Sequence, residues 1–137
     1  MYIIDTHALL WYLYNSSEIS EKARQIIDNE EQIFTSIASL WEIAIKQSIG
    51  KLDLEYSITQ IENLCKQKAI SVFPIASRHL DELISLPNHH NDPFDRLIIC
   101  QAKTENFTII TRDAIIPKYP VKTVWEISVS YKNKRIF

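Results

Sequence analysis

The sequence is unusually poor in glycine, with Gly50 as the single glycine among 137 residues. Globular proteins typically contain about 7% glycine. Loops that bring the backbone close to a phosphate group need several glycines at fixed positions. The scarcity therefore excludes glycine-rich phosphate loops and dinucleotide-binding fingerprints as the basis of an activity.

Cysteine is also scarce, since Cys65 and Cys100 are isolated and form no CxxC pair. The simplest explanation of this pattern is reduced, packed thiols in a cytoplasmic protein. A structural zinc site is not expected, because the cysteines are distant and no two histidines have the i, i+4 spacing of a helical ligand pair. The four histidines are His7, His79, His89 and His90.

Neither sign of charge dominates, since 15 lysines and arginines face 17 aspartates and glutamates, a formal net charge of −2. A generally basic nucleic-acid binder is excluded, whereas an enzyme that binds nucleic acid through a local patch around a metal is not. No apolar run approaches the roughly 18 residues of a membrane span, and the N-terminus shows no secretory leader. The sequence thus predicts a soluble cytoplasmic protein with one domain over residues 1–137 and no membrane association.

What the sequence does have is a regular alternation of short apolar strands and helices. Apolar runs predict strands over about 2–5, 32–35, 70–73, 108–111 and 121–124. Apolar spacing and capping residues predict helices over about 6–13, 20–29, 36–48, 57–67, 77–85 and 92–105. This alternation predicts an α/β fold of three layers, with a mostly parallel central sheet flanked by helices.

One stretch, residues 90–96, has the features of a helix start. Asp92 can accept hydrogen bonds from the first free backbone N–H groups, and Pro93 suits the first helical position, where no N–H is needed. Asp95 adds a second carboxylate within the first turn, beside Arg96. Taken alone, Asp95 is explained by the helix dipole, which favours negative charge at this end. A chemical role for Asp95 becomes the better explanation only if other elements of the fold bring further acids close to it.

Three further acids lie where a fold of this class would bring them towards Asp95. Asp5 and Asp113 each follow a short apolar strand, and sites in parallel sheets form at the carboxyl ends of strands. Glu42 lies in a helix so apolar that it must be nearly buried, and a buried carboxylate is costly without a partner. Lys46, one turn later, offers the alternative explanation of an ordinary ion pair along the helix.

Carboxylates that converge repel one another, which raises the pKa of some of them unless a cation lies between them. Mg²⁺ or Mn²⁺ suits such a site, because these hard ions prefer oxygen ligands and retain part of their water shell. An ion held in this way can activate a water molecule and stabilise charge on a phosphoryl oxygen, which is the chemistry of phosphodiester hydrolysis. Such a site needs no serine or cysteine nucleophile.

Four stretches of the sequence together resemble the PIN-domain proteins, specifically the VapC-type toxins of bacterial toxin–antitoxin pairs. They are residues 3–11 (IIDTHALLW), 39–46 (SLWEIAIK), 90–97 (HNDPFDRL) and 111–113 (TRD). Each stretch is weak evidence by itself, but they occur in the family's order and span almost the whole chain. The resemblance implies a single PIN domain over residues 1–137 that acts as a divalent-metal-dependent endoribonuclease.

The resemblance also implies an acidic pocket built from four carboxylates on four elements. Asp5 and Asp95 would be the principal ligands of Mg²⁺ or Mn²⁺. Glu42 and Asp113 would complete the charge, hold water, or accept the proton of the attacking water.

Supporting roles are implied for residues beside these acids. Thr6 and Thr111 would orient ligands or water by hydrogen bonding, and Asp92 would act mainly as the helix cap. Three cations close to the acids either neutralise substrate phosphate or pair with carboxylates, and the sequence favours neither reading: Lys46, Arg96 and Arg112.

For several other residues an ordinary structural explanation is preferred. His7 is expected on a helix surface, with a contact to substrate as the alternative. Trp11 is expected in the core, although an exposed part would be able to stack on RNA bases. The tail after Ile127 is expected to be an edge or a loosely ordered, solvated end, rather than an RNA-contacting strip, despite its basic residues Lys132, Lys134 and Arg135.

The partners implied by the resemblance are an RNA substrate, a small antitoxin protein and a second copy of the chain in a homodimer. The main alternative is a non-catalytic PIN-like module that binds RNA or protein, with the acids serving as helix caps and ion pairs. A receiver or aspartyl phosphatase would also place acids and Mg²⁺ at strand ends. Against it, Asp5 has no second aspartate close by in the sequence.

Overall fold

The computed structural model describes residues 1–126. Within this range one sheet contains five strands: β1 Tyr2–Ile4, β2 Ile33–Ser36, β3 Ile70–Phe73, β4 Thr108–Ile110 and β5 Lys122–Val124. Their order is β3-β2-β1-β4-β5, and every neighbouring pair is parallel. The chain builds the sheet outward from β1 in both directions, so the strand order reverses beside β1, where parallel sheets form their sites.

The helices begin where local capping residues predict. Ser20, Ser36, Ser57 and Asp92 each accept a backbone N–H bond with the side chain, which satisfies a donor that the first turn leaves free. Gly50 has a φ of +71° just beyond the third helix, a conformation that favours glycine at helix ends. The described helices are α1 Thr6–Leu13, α2 Glu21–Asn29, α3 Ile37–Ser48, α4 Ile58–Gln67, α5 Ser77–Ser85, α6 Pro93–Glu105 and a 3₁₀ turn at Ile116–Lys118.

The two faces of the sheet are covered by different helices, because neighbouring residues of a strand point to opposite sides. Ile4 and Ile110 pack with the apolar sides of α1 to α4. Ile3 and Ile109 pack on the other face with α6 and with part of α5. Burying an isoleucine side chain in this way contributes roughly 1.5–3 kcal/mol. The predicted three-layer α/β/α architecture with a parallel central sheet is confirmed.

The carboxyl ends of β1 and β4 determine where the polar side chains that follow these strands lie. The first strand was predicted to include Asp5, but it ends at Ile4, because Asp5 is the N-cap of α1 and its side chain accepts the N–H of Ala8. Likewise β4 ends at Ile110, one residue before the predicted end at Thr111. Both polar side chains therefore lie immediately beyond the carboxyl ends of adjacent strands.

The remaining sequence predictions concern the thiols, the membrane and the tail. Cys65 and Cys100 are buried and free, as predicted, and burial raises the pKa of each thiol to about 11. In residues 1–126 we find no helix whose length and apolar character would suffice to cross a bilayer. The predicted edge or loose end after Ile127 lies outside the described residues.

Candidate functional site

Asp5 is fixed by donors on both of its carboxylate oxygens. The N–H of Ala8 donates to Oδ1 at 2.9 Å, and the hydroxyl of Thr111 donates to Oδ2. The same Thr111 oxygen accepts the N–H of Asp113 at 3.0 Å, so it ties the end of β1 to the loop after β4. Burial raises the pKa of Asp5, although both hydrogen bonds act in the opposite direction.

Asp92 and Asp95 lie in one turn but have different surroundings. Oδ1 of Asp92 accepts the N–H groups of Phe94 at 2.9 Å and of Asp95 at 3.1 Å, which confirms Asp92 as the cap of α6. The carboxylate of Asp95 receives no hydrogen bond from residues 1–126. Burial, and then the nearby carboxylates of Asp92, Asp5, Glu42 and Asp113 in decreasing order, together raise the pKa of Asp95 to about 8. The acids of four separate elements thus lie close enough to interact strongly.

Glu42 is buried in α3, with a side chain that is 4% exposed. Its Oε2 accepts the ammonium of Lys46 at 2.7 Å, so the ion pair offered by the sequence as the alternative explanation does form. Its Oε1 is buried and has no hydrogen-bond partner among the described residues. A buried carboxylate oxygen without a hydrogen-bond partner costs free energy. The ion pair with Lys46 therefore accounts for Oε2 of Glu42 and leaves the burial of Oε1 unexplained.

Asp113 completes the group from the loop after β4. Its Oδ1 accepts the N–H of Ile115 at 2.7 Å, which fixes the side chain in a local turn. One carboxylate oxygen of Asp113, one of Asp95 and one ring nitrogen of His90 all lie within 4.8 Å of one another. We call Asp5, Glu42, Asp95 and Asp113 the acidic cluster.

The charges of the acidic cluster fit a divalent cation. Lys46 is the cation whose pKa is raised by the cluster, first by its hydrogen bond to Glu42 and then by nearby carboxylates. One ammonium does not balance these acids: Oε1 of Glu42 has no hydrogen-bond partner among the described residues, and burial together with the other carboxylates raises the pKa of Asp95. A hard ion such as Mg²⁺ or Mn²⁺ prefers carboxylate oxygens and would remove both costs.

The two predicted supporting threonines have different contacts. Thr111 bridges Asp5 and the Asp113 backbone, as described above, and so holds two members of the acidic cluster in place. Thr6 is buried, but its hydroxyl donates to Ser39 Oγ at 2.9 Å and joins α1 to α3. Thr6 therefore positions the helix that carries Glu42, and this hydroxyl has no contact with a carboxylate of the cluster.

The three predicted substrate-binding cations already have protein partners. Lys46 pairs with Glu42, and the guanidinium of Arg112 pairs with Glu18 at 2.6 Å. Arg96 donates to backbone carbonyls at residues 86 and 87. Pairing with carboxylates thus describes Lys46 and Arg112, while contact of any of the three with substrate stays a prediction.

Beside the acidic cluster lies an open cleft of about 320 Å³, lined by Asp5, His7, Trp11, Arg112 and Asp113. Trp11 is half-buried: it packs against the core, as predicted, and also lines this cleft. Its ring stacks on His7 at 5.7 Å between centroids, and the guanidinium of Arg112 lies 4.2 Å from its centre. The cleft therefore offers an aromatic wall and a cation next to the acids.

His90 is the residue of this region that the sequence reasoning missed. In the sequence, His90 is considered only as a zinc ligand, for which its spacing is wrong, and not as a neighbour of the acids. The available signal was its position, since His90 begins the same stretch as Asp92 and Asp95. Its closeness to Asp113 depends on the fold and leaves no mark in local spacing.

A family model of the PIN domain matches residues 2–122, which is most of the chain. No curated protein matches the sequence significantly.

Solved structures with the same fold include three from bacteria. VapBC2 of Rickettsia felis, bound to a DNA fragment from its promoter, is 14% identical, with a TM-score of 0.66 over 91% of this chain and 98% of that one. FitAcB of Neisseria gonorrhoeae is 14% identical, with a TM-score of 0.63 and coverages of 90% and 96%. A toxin–antitoxin complex of Klebsiella pneumoniae is 15% identical, with a TM-score of 0.61 and coverages of 93% and 100%. At such low identity, the likeness establishes the fold.

Proposed function

The chain belongs to the PIN-domain family, whose members are generally nucleases, and on this premise we propose that it is a divalent-metal-dependent endoribonuclease. The observation that carries the proposal is the convergence of the acidic cluster at the carboxyl edge of the sheet. We further propose that the protein is the toxin of a toxin–antitoxin pair.

Each acid has a role that its surroundings support. Asp5 and Asp95 are the principal ligands, since Asp5 is held by two donors and the carboxylate of Asp95 accepts no hydrogen bond from the described residues. The free Oε1 of Glu42 and the carboxylate of Asp113 complete the negative charge, orient the attacking water and accept its proton. A bound Mg²⁺ or Mn²⁺ supplies the positive charge that lowers the pKa of water and stabilises a phosphoryl oxygen.

The cleft beside the acids supports a nucleic-acid substrate. Trp11 and His7 present stacked rings on which an unpaired base can lie, and such stacking is worth roughly 1–3 kcal/mol per base. Arg112 lies over the same tryptophan and would reach a phosphate by exchanging its exposed pair with Glu18. RNA is favoured over DNA by the resemblance to VapC-type toxins.

The test is cleavage of total bacterial RNA by wild type and by Asp5→Asn, with Mg²⁺, with Mn²⁺ and with EDTA. Asparagine keeps an oxygen that can cap α1, so the variant should fold while it loses the charge. The matched control is Asp81→Asn, which removes an exposed carboxylate on α5. We expect cleavage by wild type and the control only when metal is present, and none by Asp5→Asn.

Two results would overturn the nuclease proposal. Cleavage in EDTA, or equal cleavage by Asp5→Asn, would show that the acidic cluster and its metal are not the source of activity. Binding of RNA without cleavage under every metal condition would instead favour the non-catalytic PIN-like module.

The toxin role is supported by an exposed apolar stripe along α3. Ile37, Trp41, Ile45 and Ile49 recur every four residues on one side of the helix, and all four are exposed. Trp41 also contacts Phe94 edge-on in the first turn of α6, so the stripe reaches the acidic cluster. A partner that covers this stripe would bury apolar surface and block the site at once.

Growth of bacteria that express the chain tests the toxin role. We expect wild type to arrest growth, Asp5→Asn to permit it, and co-expression of the small reading frame beside the gene to restore it. Ile49→Glu should escape that rescue while still cleaving RNA, whereas Lys51→Glu, a nearby exposed change, should not. Growth arrest by Asp5→Asn equal to that of wild type would contradict the role.

A homodimer is proposed from the resemblance and from the exposed face of α5. Leu80 and Ile84 lie one turn apart there, and Ile84 is 86% exposed. Light scattering should report a mass of twice the 16.0 kDa chain for wild type and a single chain mass for Ile84→Asp. A monomeric wild type would contradict the proposal.

A further inference from the structure

His90 has one ring nitrogen that is held by the protein and one that is not. Its side chain is 10% exposed and therefore nine-tenths buried. Its Nδ1 lies 3.1 Å from the hydroxyl of Tyr119, whereas its Nε2 is buried and has no hydrogen-bond partner among residues 1–126. The nearest carboxylate oxygen, on Asp95, is 3.7 Å from Nε2, which is too far for a hydrogen bond. Buried polar atoms in proteins nearly always have a hydrogen-bond partner, so the unpaired Nε2 calls for an explanation.

The contacts of Tyr119 decide which nitrogen carries the proton. Its oxygen accepts the backbone N–H of His89 at 3.0 Å and of His90 at 3.1 Å, and the guanidinium of Arg96 approaches it at 3.4 Å. These groups can only donate, so they occupy the oxygen's acceptor positions. The single phenolic hydrogen is then left to donate to Nδ1 of His90. In the neutral ring the other nitrogen, Nε2, carries the hydrogen.

The direction of Nε2 determines what this hydrogen can bind. Nε2 lies 3.7 Å from a carboxylate oxygen of Asp95, and one ring nitrogen of His90 lies within 4.8 Å of carboxylate oxygens of both Asp95 and Asp113, so the ring borders the acidic cluster. A nitrogen that carries a hydrogen cannot ligate a cation, which makes His90 a donor to an anion at the metal site. On the proposed function, the anion that enters there is the phosphodiester of RNA.

We propose that His90 is a substrate-contacting residue whose Nε2–H donates a hydrogen bond to a phosphoryl oxygen of RNA, with Tyr119 fixing the required tautomer. The inference rests on the proposed nuclease function and adds a fixed donor to it. A preorganised donor of this kind stabilises the charge that develops on the phosphoryl oxygens during hydrolysis.

The first experiment reads the tautomer without reference to activity. Long-range ¹H–¹⁵N correlation spectra of the imidazole ring should show the hydrogen of His90 on Nε2 and none on Nδ1. In Tyr119→Phe the donor to Nδ1 is gone, and we expect a mixture of tautomers. A wild-type spectrum with the hydrogen on Nδ1 would overturn the inference, whatever the protein cleaves.

The second experiment separates a donor from a ligand and from a structural residue. Single-turnover cleavage of the RNA cut fastest by wild type should fall about 100-fold in His90→Ala, the usual loss for one such donor. His90→Gln, which can place an N–H in the same direction, should recover most of that loss. Mn²⁺ affinity, measured by calorimetry, should be the same in all three proteins.

Each other outcome identifies which idea fails. Wild-type cleavage matched by His90→Ala would overturn the role of His90 and leave the nuclease assignment intact. Mn²⁺ affinity at least about tenfold weaker in His90→Ala would overturn the inference, because it would show that His90 acts on the metal, as a ligand or by orienting one. A wild type that cleaves no RNA with either metal would remove the nuclease assignment and this inference together.

Discussion

The two ends of helix α6 each pair a histidine with a carboxylate, in opposite surroundings. At the C-terminal end, one oxygen of Glu105 accepts from Arg78 at 2.6 Å and lies 2.8 Å from Nε2 of His79. At the N-terminal end, Nε2 of His90 is 3.7 Å from Asp95, and no hydrogen bond joins them. The same residue types thus form a hydrogen-bonded, ion-paired group at the C-terminal end of α6, which we call the closed end. At the N-terminal end no hydrogen bond joins the two side chains, and we call this the open end.

The two carboxyl groups respond in opposite directions. The hydrogen bond from Arg78, followed by that from His79, lowers the pKa of Glu105. Burial and the surrounding carboxylates raise the pKa of Asp95 to about 8. Burial and the neighbouring charges, and not residue type, therefore separate a group that supports the fold from one that is available for a cation and a substrate.

The largest expected difference between the two ends is in RNA cleavage. Asp95→Asn should lower the rate at least about 100-fold, because a metal ion is worth several kcal/mol to the transition state and 1.4 kcal/mol is tenfold. Glu105→Gln, the matched neutral change at the other end of α6, should cleave within about twofold of wild type, since surface pairs contribute little. Gel assays with Mn²⁺ measure both, and equal losses in two folded variants would contradict the distinction.

The next difference is in the stability of the metal-free protein. A raised pKa means that folded protein binds the Asp95 proton more tightly, so this stabilising contribution is complete below the unfolded value of about 3.9 and is lost as the pH rises through about 8. Asp95→Asn should therefore be more stable than wild type at pH 8 in EDTA. We expect a thermal midpoint about 5 °C higher, the shift that roughly 1–2 kcal/mol produces in a domain of this size.

Glu105→Gln should change stability with the opposite sign. The lowered pKa of Glu105 contributes stability that is present above its unfolded value of about 4.3 and is lost as the pH falls. At pH 8 the thermal midpoint of Glu105→Gln should be lower than that of wild type. The difference in midpoint between wild type and each variant, Asp95→Asn or Glu105→Gln, should become smaller towards pH 4. An Asp95→Asn midpoint at or below that of wild type at pH 8 would refute the idea of repelling carboxylates.

The smallest effect is expected from substitutions of Asp92, which caps the N-terminal end of α6. Asp92→Ala removes the acceptor for two backbone N–H groups and should cost about 1 kcal/mol of stability, whereas Asp92→Asn keeps an acceptor and should cost a few tenths. Urea unfolding of the two variants measures the difference. Loss of cleavage by Asp92→Asn as severe as that of Asp95→Asn would show that the division of roles between the two aspartates is wrong.

The sequence was sufficient to predict those features of the fold that depend on residues close together in the chain. Helix starts at Ser20, Ser36 and Ser57 follow from local side-chain caps, and the alternation of apolar runs predicted the three layers and all five strands of residues 1–126. The meeting of Asp5 with Asp113 also follows, because parallel strands present their carboxyl ends at one edge.

Contacts between distant residues could not be read in the same way. The ion pair of Arg112 with Glu18 joins residues 94 positions apart, and the contact of His90 with Tyr119 spans 29. Such pairs depend on how loops fold back over the sheet, and no periodicity or spacing records them. For the same reason the sequence left the partners of the cations open and overlooked His90.

The decisive measurement is calorimetric titration of Mn²⁺ into wild type, Asp95→Asn and Glu105→Gln. If the open end of α6 is a divalent-cation site, wild type and Glu105→Gln should bind with equal affinity, and Asp95→Asn should bind at least about tenfold more weakly. Equal affinities in all three proteins, or no binding to wild type, would contradict the assignment of the acidic cluster as a metal centre.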